Sequence, residues 1–254
     1  MIVPDKKFII GNWKMNPATL GEVQSLARNI TAQSSPLVEI VICPPSIFLA
    51  PLATLLGKVV SYGVQNIASE NTPALTGELS GSQVSSMDVQ YVIVGHSSRR
   101  SHGETNTEVH KKIHVCLTYN LVPVVCVGET TRDTEGRYLK ELETQLRETF
   151  VGLNKSQFEE IIIAYEPVWA IGTSAVREAT PAEFQESMIF IKKVINDMTG
   201  NSPVGKITVV YGGSVSTPEQ LTAFIHAGAQ GVLLGRASID PDMFNSLCVT
   251  AHTL

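Results

Sequence analysis

Eight short apolar runs recur along the chain: Lys7–Asn12, Glu39–Cys43, Ser61–Val64, Tyr91–Val94, Val122–Val127, Ile161–Tyr165, Lys206–Tyr211 and Gly231–Leu234. Most are continuously apolar rather than alternating, the pattern of parallel strands covered on both faces. Between them, apolar residues fall at helical spacing. Gly21–Ser34 sets Val23, Leu26, Ala27 and Ile30 on one face, and Thr107–Tyr119 and Asp133–Val151 follow the same rule. Pro181–Thr199 opens on Thr180 as an N-cap with proline at the first helical position, and a last helix is predicted over Pro241–Thr250. Strands alternating with helices through short connections predict an α/β fold with a parallel sheet. Eight such units in 254 residues match the size of a closed (β/α)8 barrel with outer helices. A doubly wound open sheet is the alternative. No G-x-G-x-x-G follows the first run, and the count of eight suits closure. No composition shift or linker divides residues 1–254, so one domain is expected.

Composition narrows this further. With 43% hydrophobic and 17% charged residues, the chain can build a large core without staples. A net charge of −5 argues against nucleic acid as the main partner, yet leaves room for a small anion held by a local cation. Cys43, Cys116, Cys126 and Cys248 show neither C-x-x-C spacing nor a zinc-like pattern with histidine, so no metal is expected. Free thiols suit a reducing compartment, and a cytoplasmic location is expected. The longest apolar stretch, Val41–Leu56, is broken by Pro44, Pro45 and Pro51, so no membrane span is expected.

Candidate chemistry gathers where the runs end, which in a (β/α)8 barrel is the functional face. Ile161–Tyr165 leads straight into Glu166, and Pro167 stops the strand. The loop that follows, through Trp169 to Gly172 and Thr173, is apolar and glycine-bearing, as a closing lid would be. Asn12 and Lys14 end the first run and share strand parity; His96 ends the fourth and shares parity with Val92 and Val94. Taken singly, Lys14 reads equally as a solvated rim lysine, His96 as a hydrogen-bonded structural histidine and Glu166 as a loop carboxylate. Their joint placement at the ends of three different strands favours a shared site. Tyr211-Gly212-Gly213-Ser214-Val215 and Gly235-Arg236-Ala237-Ser238 follow the last two runs. Small residues there can expose backbone N–H groups to an anion, or simply make tight turns.

Five segments, in this order and spacing, resemble the triosephosphate isomerase family over nearly the full length. They are Gly11-Asn12-Trp13-Lys14-Met15-Asn16, Val94-Gly95-His96-Ser97, Cys126-Val127-Gly128-Glu129, Ala164-Tyr165-Glu166-Pro167-Val168-Trp169-Ala170-Ile171-Gly172-Thr173 and Tyr211-Gly212-Gly213-Ser214-Val215. The resemblance implies a TIM barrel that interconverts dihydroxyacetone phosphate and glyceraldehyde 3-phosphate in glycolysis and gluconeogenesis, without cofactor or metal. It implies Glu166 as the base, His96 as a neutral imidazole polarising the carbonyl, and Lys14 as the cation that attracts the phosphate dianion. Asn12 would orient substrate and Lys14, while Gly172, Ser214, Gly235 and the Arg236 backbone would hold the phosphate. Asn66–Gly81, containing Thr76-Gly77-Glu78, resembles the family's interdigitating loop and implies a homodimer; a loose loop on a monomer is the alternative.

Three departures from the family pattern carry expectations of their own. Ser98 stands where the pattern has Glu, Arg236 replaces the second glycine of a pair, and the lid before Thr180-Pro181 is about two residues longer than usual. The altered lid and Ser98 raise two alternatives: a weakly active member, or an isomerase or epimerase of a four-carbon tetrulose phosphate. A barrel kept only for binding would not need Glu166, His96 and Lys14 together. A looser lid admits water and grips the enediolate phosphate less firmly. Methylglyoxal formed per turnover is therefore expected to exceed that of an enzyme with the ordinary lid, and parity between the two would remove this reading.

Overall fold

The apolar runs become strands that pair in sequence order and close on themselves. The computed structural model describes residues 6–72, 74–172, 175–200 and 207–254. Its first quarter holds β1 (Lys7–Asn12), α1 (Leu20–Asn29), β2 (Val38–Cys43), α2 (Leu49–Leu56) and β3 (Ser61–Val64). There follow α3 (Gly81–Ser85), β4 (Tyr91–Val94), α4 (Ser97–Arg100), α5 (Asn106–Thr118) and β5 (Val122–Val127). The second half adds α6 (Arg137–Thr149), α7 (Lys155–Phe158), β6 (Ile162–Tyr165), α8 (Pro181–Met198) and β7 (Thr208–Tyr211). It ends with α9 (Pro218–His226), β8 (Gly231–Leu234) and α10 (Pro241–Thr253). All eight strands are parallel, and β1 pairs with both β2 and β8 to close the barrel. The predicted start of the seventh strand at Lys206 lies outside the described residues.

Strand alternation divides the apolar residues into two layers. Phe8, Ile10, Val41, Cys43, Ile93, Val124, Cys126, Ile162, Ala164, Val210 and Leu233 fill the barrel interior. Ile9, Ile40, Ile42, Val92, Val94, Val125, Val127, Ile163 and Tyr165 face the helices. Each full burial of such a side chain stabilises the fold by about 1.5–3 kcal/mol, so the two-sided runs supply most of the drive to close.

Helix boundaries shift where tertiary partners or proline decide them. The periodicity predicts α1 as far as Ser34, but it ends at Asn29. Asn245 of α10 accepts from Thr31 N at 2.9 Å and donates to Asn29 O at 2.8 Å, fixing the exit from another element. At α6, Asp133 accepts from the Glu135 and Arg137 amides at 2.7 and 3.1 Å, and Gly136 has φ +77°. That turn holds the predicted first residues out of the helix. α2 goes unpredicted because Pro51 sits inside it, yet a proline in the first turn removes an N–H that has no partner there anyway. α9 repeats the Thr-Pro start of α8, with Thr217 capping Gln220 N.

Gly231 is the tightest point of closure. It pairs with Phe8 at φ +145°, and a Cβ there would lie 2.0 Å from the Phe8 carbonyl oxygen. Gly231→Ala is expected to cost about 3 kcal/mol or more through backbone strain and separation of β1 from β8. Chemical denaturation measures this, and a loss below about 0.5 kcal/mol would mean that the β1–β8 seam tolerates a side chain.

Candidate active site

At the β1 exit the parity argument for Lys14 reaches the right neighbour by the wrong route. The strand stops at Asn12, and Lys14 adopts a left-handed φ of +53°. A non-glycine residue pays for that conformation, so surrounding bonds must hold it. Lys14 N donates to Asn12 Oδ1 at 3.0 Å, and Gln65 Nε2 donates to Lys14 O at 2.8 Å. The ammonium lies toward Gly235 beyond β8, where a Cβ would sit 3.7 Å from Nζ. It makes no ion pair among the described residues.

His96 is turned inward by the residue before it. Strict alternation would send it with Val92 and Val94 toward the helices, since Ile93 is the interior residue. Gly95, at φ +71°, reverses the chain and brings His96 to the barrel mouth. His96 is also the N-cap of α4: its Nδ1 accepts from Ser98 N at 3.1 Å. A ring that accepts at Nδ1 carries its proton on Nε2. That nitrogen points to Glu166 Oε1, 3.2 Å away.

Glu166 keeps interior parity with Ile162 and Ala164, so β6 delivers it to the mouth directly. Its amide donates to Val127 O at 2.7 Å, and its Oε2 accepts from Ser97 N at 2.9 Å. The residue is only 4% exposed. Gly128 on the neighbouring strand exit permits this close approach, because a Cβ there would come 1.8 Å from Glu166 O. Burial raises the thiol of Cys126 well above its ordinary value, with Glu166 adding to the shift, so this neighbour stays protonated.

The lid is anchored at both ends. Trp169 Nε1 and Tyr165 Oη each donate to Glu129 Oε1 at 2.8 Å, and Val168 N donates to Glu129 O at 3.0 Å. Burial raises the Glu129 carboxyl, and the Trp169 and Tyr165 bonds oppose it. The sequence assigns Glu129 no role, although a carboxylate just past the end of β5 is itself a signal of a barrel-mouth function. At the far end, Arg177 stacks 4.6 Å over the Trp169 ring and grips Glu183 through two bonds of 2.9 and 2.5 Å. Thr173 and Ser174, expected in the lid tip, lie outside the described residues.

Above the apolar floor is a cavity of about 870 Å³. Asn12, Lys14, His96, Glu166, Gly172, Ser214, Gly235 and Arg236 all line it. Arg236 is exposed and opens the short 3-10 turn Arg236–Ile239 after β8. Its guanidinium has no hydrogen bond or ion pair among the described residues. No group of three His, Cys, Asp or Glu side chains that could hold a metal ion occurs among the described residues. The arrangement places a carboxylate and an Nε2–H side by side, with an ammonium across the opening. It can move a proton on a bound molecule while a donor and a cation stabilise the negative charge that develops.

The lid anchor sets an acid-side dependence. Arg177 first, then the Thr180 amide and hydroxyl, hold the Glu183 carboxyl down at about 2, with burial opposing. A carboxylate lowered in the folded state stabilises above its unfolded value, near 4.3, and loses that contribution as pH falls toward 2. Glu183→Gln is expected to be less stable than the parent at pH 6, with the difference shrinking between about pH 4.5 and pH 2. Denaturation at a series of pH values checks it, and a pH-independent difference would contradict it.

A sequence profile described as triosephosphate isomerase matches residues 7–251. A triosephosphate isomerase of Dehalococcoides mccartyi is 40% identical over 251 residues, covering 97% of this chain and 96% of that protein. One from Rhodopirellula baltica is 38% identical over 248 residues, covering 96% of each. One from Coprinopsis cinerea is 35% identical over 238 residues, covering 92% of this chain and 94% of that protein. With a closed eight-stranded barrel, a carboxylate and imidazole meeting at its mouth and full-length likeness of this kind, the chain belongs to the triosephosphate isomerase family and is an isomerase.

Proposed function

We propose that residues 1–254 form one catalytic domain that interconverts dihydroxyacetone phosphate and D-glyceraldehyde 3-phosphate through an enediolate, as a step of glycolysis and gluconeogenesis. The observation that carries this reading is the 3.2 Å contact between His96 Nε2 and Glu166 Oε1, with the imidazole proton on Nε2. Glu166 takes a proton from the carbon beside the carbonyl. His96 Nε2–H donates to the carbonyl oxygen, where negative charge collects. Lys14 adds its positive charge, and Asn12 holds Lys14 in place. The hydroxyl proton on the neighbouring carbon's oxygen passes by way of His96 Nε2 to the former carbonyl oxygen, and Glu166 returns its own proton to the former carbonyl carbon, so atoms and charge balance without a cofactor. For this, substrate oxygen takes over the His96 donor, and Glu166 leaves the Ser97 amide. The phosphate rests on Gly172, Ser214, Gly235 and the Arg236 backbone, within reach of Lys14.

The same reading includes a homodimer through the 66–81 loop. Ala68 N donates to Leu79 O at 2.9 Å and Asn66 Nδ2 to Glu78 Oε2 at 3.2 Å, closing the loop at its base. Lys112 binds Asn66 Oδ1 at 2.7 Å and pairs with Glu104, tying the loop to α5. Leu75 in this loop is 44% exposed, and Met15, next to Lys14 in sequence, is 91% exposed. Apolar groups left this open mark a contact surface. Buried Cys43, Cys116, Cys126 and Cys248, all free, fit a reducing cytoplasm. No helix among the described residues is long and apolar enough to cross a membrane.

A coupled assay on glyceraldehyde 3-phosphate, with mass measured in solution, tests this reading. Turnover on the three-carbon substrate well above that on a four-carbon ketose phosphate is expected, in a particle of twice the chain mass. Glu166→Asp withdraws the base by about 1 Å and is expected to lower kcat about 100-fold. Undiminished turnover would mean that another group is the base, and preference for the four-carbon substrate would favour the tetrulose phosphate alternative.

A further inference from the structure

Ser98 Oγ lies 2.8 Å from His96 Nδ1, beside the Ser98 amide at 3.1 Å from the same nitrogen. The amide always carries hydrogen, so Nδ1 is the acceptor, and the serine hydroxyl in contact with it is a donor. The ring's polar contacts among the described residues are these two and Glu166 Oε1 at 3.2 Å. Neighbouring charged groups are engaged elsewhere. Glu104 accepts from Gly95 N at 3.1 Å, Arg100 Nε donates to Gly95 O at 2.8 Å, and His102 Nδ1 lies 2.7 Å from Ser98 O.

We propose that Ser98 is a positioning residue for the isomerisation, its hydroxyl giving His96 Nδ1 a second donor that holds the tautomer and orientation presenting Nε2–H to the substrate oxygen. The assignment rests on the proposed reaction. A donor on Nδ1 matters because the two neutral tautomers place the proton on opposite sides of the ring. Only the Nε2–H form can stabilise negative charge within the cavity. One neutral hydrogen bond is a modest lever, so the effect on rate is expected to be about three- to tenfold.

The test compares the full-length parent with Ser98→Ala and Ser98→Thr. Ser98 is exposed, and neither change opens a cavity. In histidine-labelled protein without substrate, the 15N signal of His96 Nδ1 is expected to move in Ser98→Ala toward that of a less strongly hydrogen-bonded acceptor. The same variant should lose about three- to tenfold in kcat with KM within about twofold, and Ser98→Thr should restore both. An Nδ1 signal that does not respond in Ser98→Ala would overturn the role of Ser98, whatever happens to kcat. So would a lower kcat that threonine fails to restore. A parent with no isomerase turnover would overturn the proposed reaction and this role together; normal parent turnover with an unresponsive Nδ1 overturns the Ser98 role alone.

Discussion

A nearly buried carboxylate beside an imidazole is the constraint around which this barrel is built. Glu166 is 4% exposed and has polar partners on two sides, the Ser97 amide at 2.9 Å and His96 Nε2 at 3.2 Å. Removing a carboxylate from water is costly unless donors replace the lost solvent. Here both donors come from the exit of β4, while the carboxylate comes from the exit of β6. The two strands are not neighbours, since β5 lies between them. The contact therefore depends on the β5 exit being narrow, and Gly128 makes it so. The geometry belongs to the closed barrel and not to any local segment.

Stability and chemistry are separated along the barrel axis. The middle of the barrel interior is filled by apolar side chains and thiols, with Phe8, Ile10, Val41, Cys43, Ile93 and Cys126 among them. Irregular backbone gathers at the strand exits and in the loop beyond β6: Lys14 at φ +53°, Gly95 at +71°, Gly172 at +76°. At Gly95 the departure points His96 at the cavity, where a regular strand would have directed it toward the helices. The apolar floor offsets the cost of these conformations. The lid follows the same logic, since its apolar Trp169 is tied to buried Glu129 on one side and to Arg177 on the other. A segment anchored at both ends can move over the cavity while its ends stay in register.

The fold was legible because both faces of its strands are buried, which leaves near-continuous apolar runs in the sequence. Strand bounds at β1, β3, β4, β5 and β8 agree with those runs to the residue. Helices were less legible wherever tertiary contacts set their ends. Asn245 terminating α1 from α10 leaves no trace in the local pattern. Glu166 could be placed by parity alone, but His96 could not. Parity with Val92 and Val94 points it away from the mouth, and the glycine before it was the signal that the rule would fail. The second anchor of the lid was hidden for another reason. Arg177 and Glu183 lie six residues apart, across a helix start, where no periodicity links them. The Ser98–His96 contact was hidden too, since the sequence shows a departure from a pattern but not where the hydroxyl points.

Whether a protein carboxylate removes a carbon-bound hydrogen as a proton is best tested by the fate of that hydrogen. Turnover of dihydroxyacetone phosphate in deuterium oxide, with the product's carbon-bound hydrogens read by NMR, measures it directly. The account predicts deuterium at carbon 2 of the glyceraldehyde 3-phosphate formed, because a proton held on Glu166 can exchange with solvent before it returns. Rapid conversion with no deuterium in product or recovered substrate would mean direct transfer from carbon to carbon, and would contradict a role for Glu166 as the base.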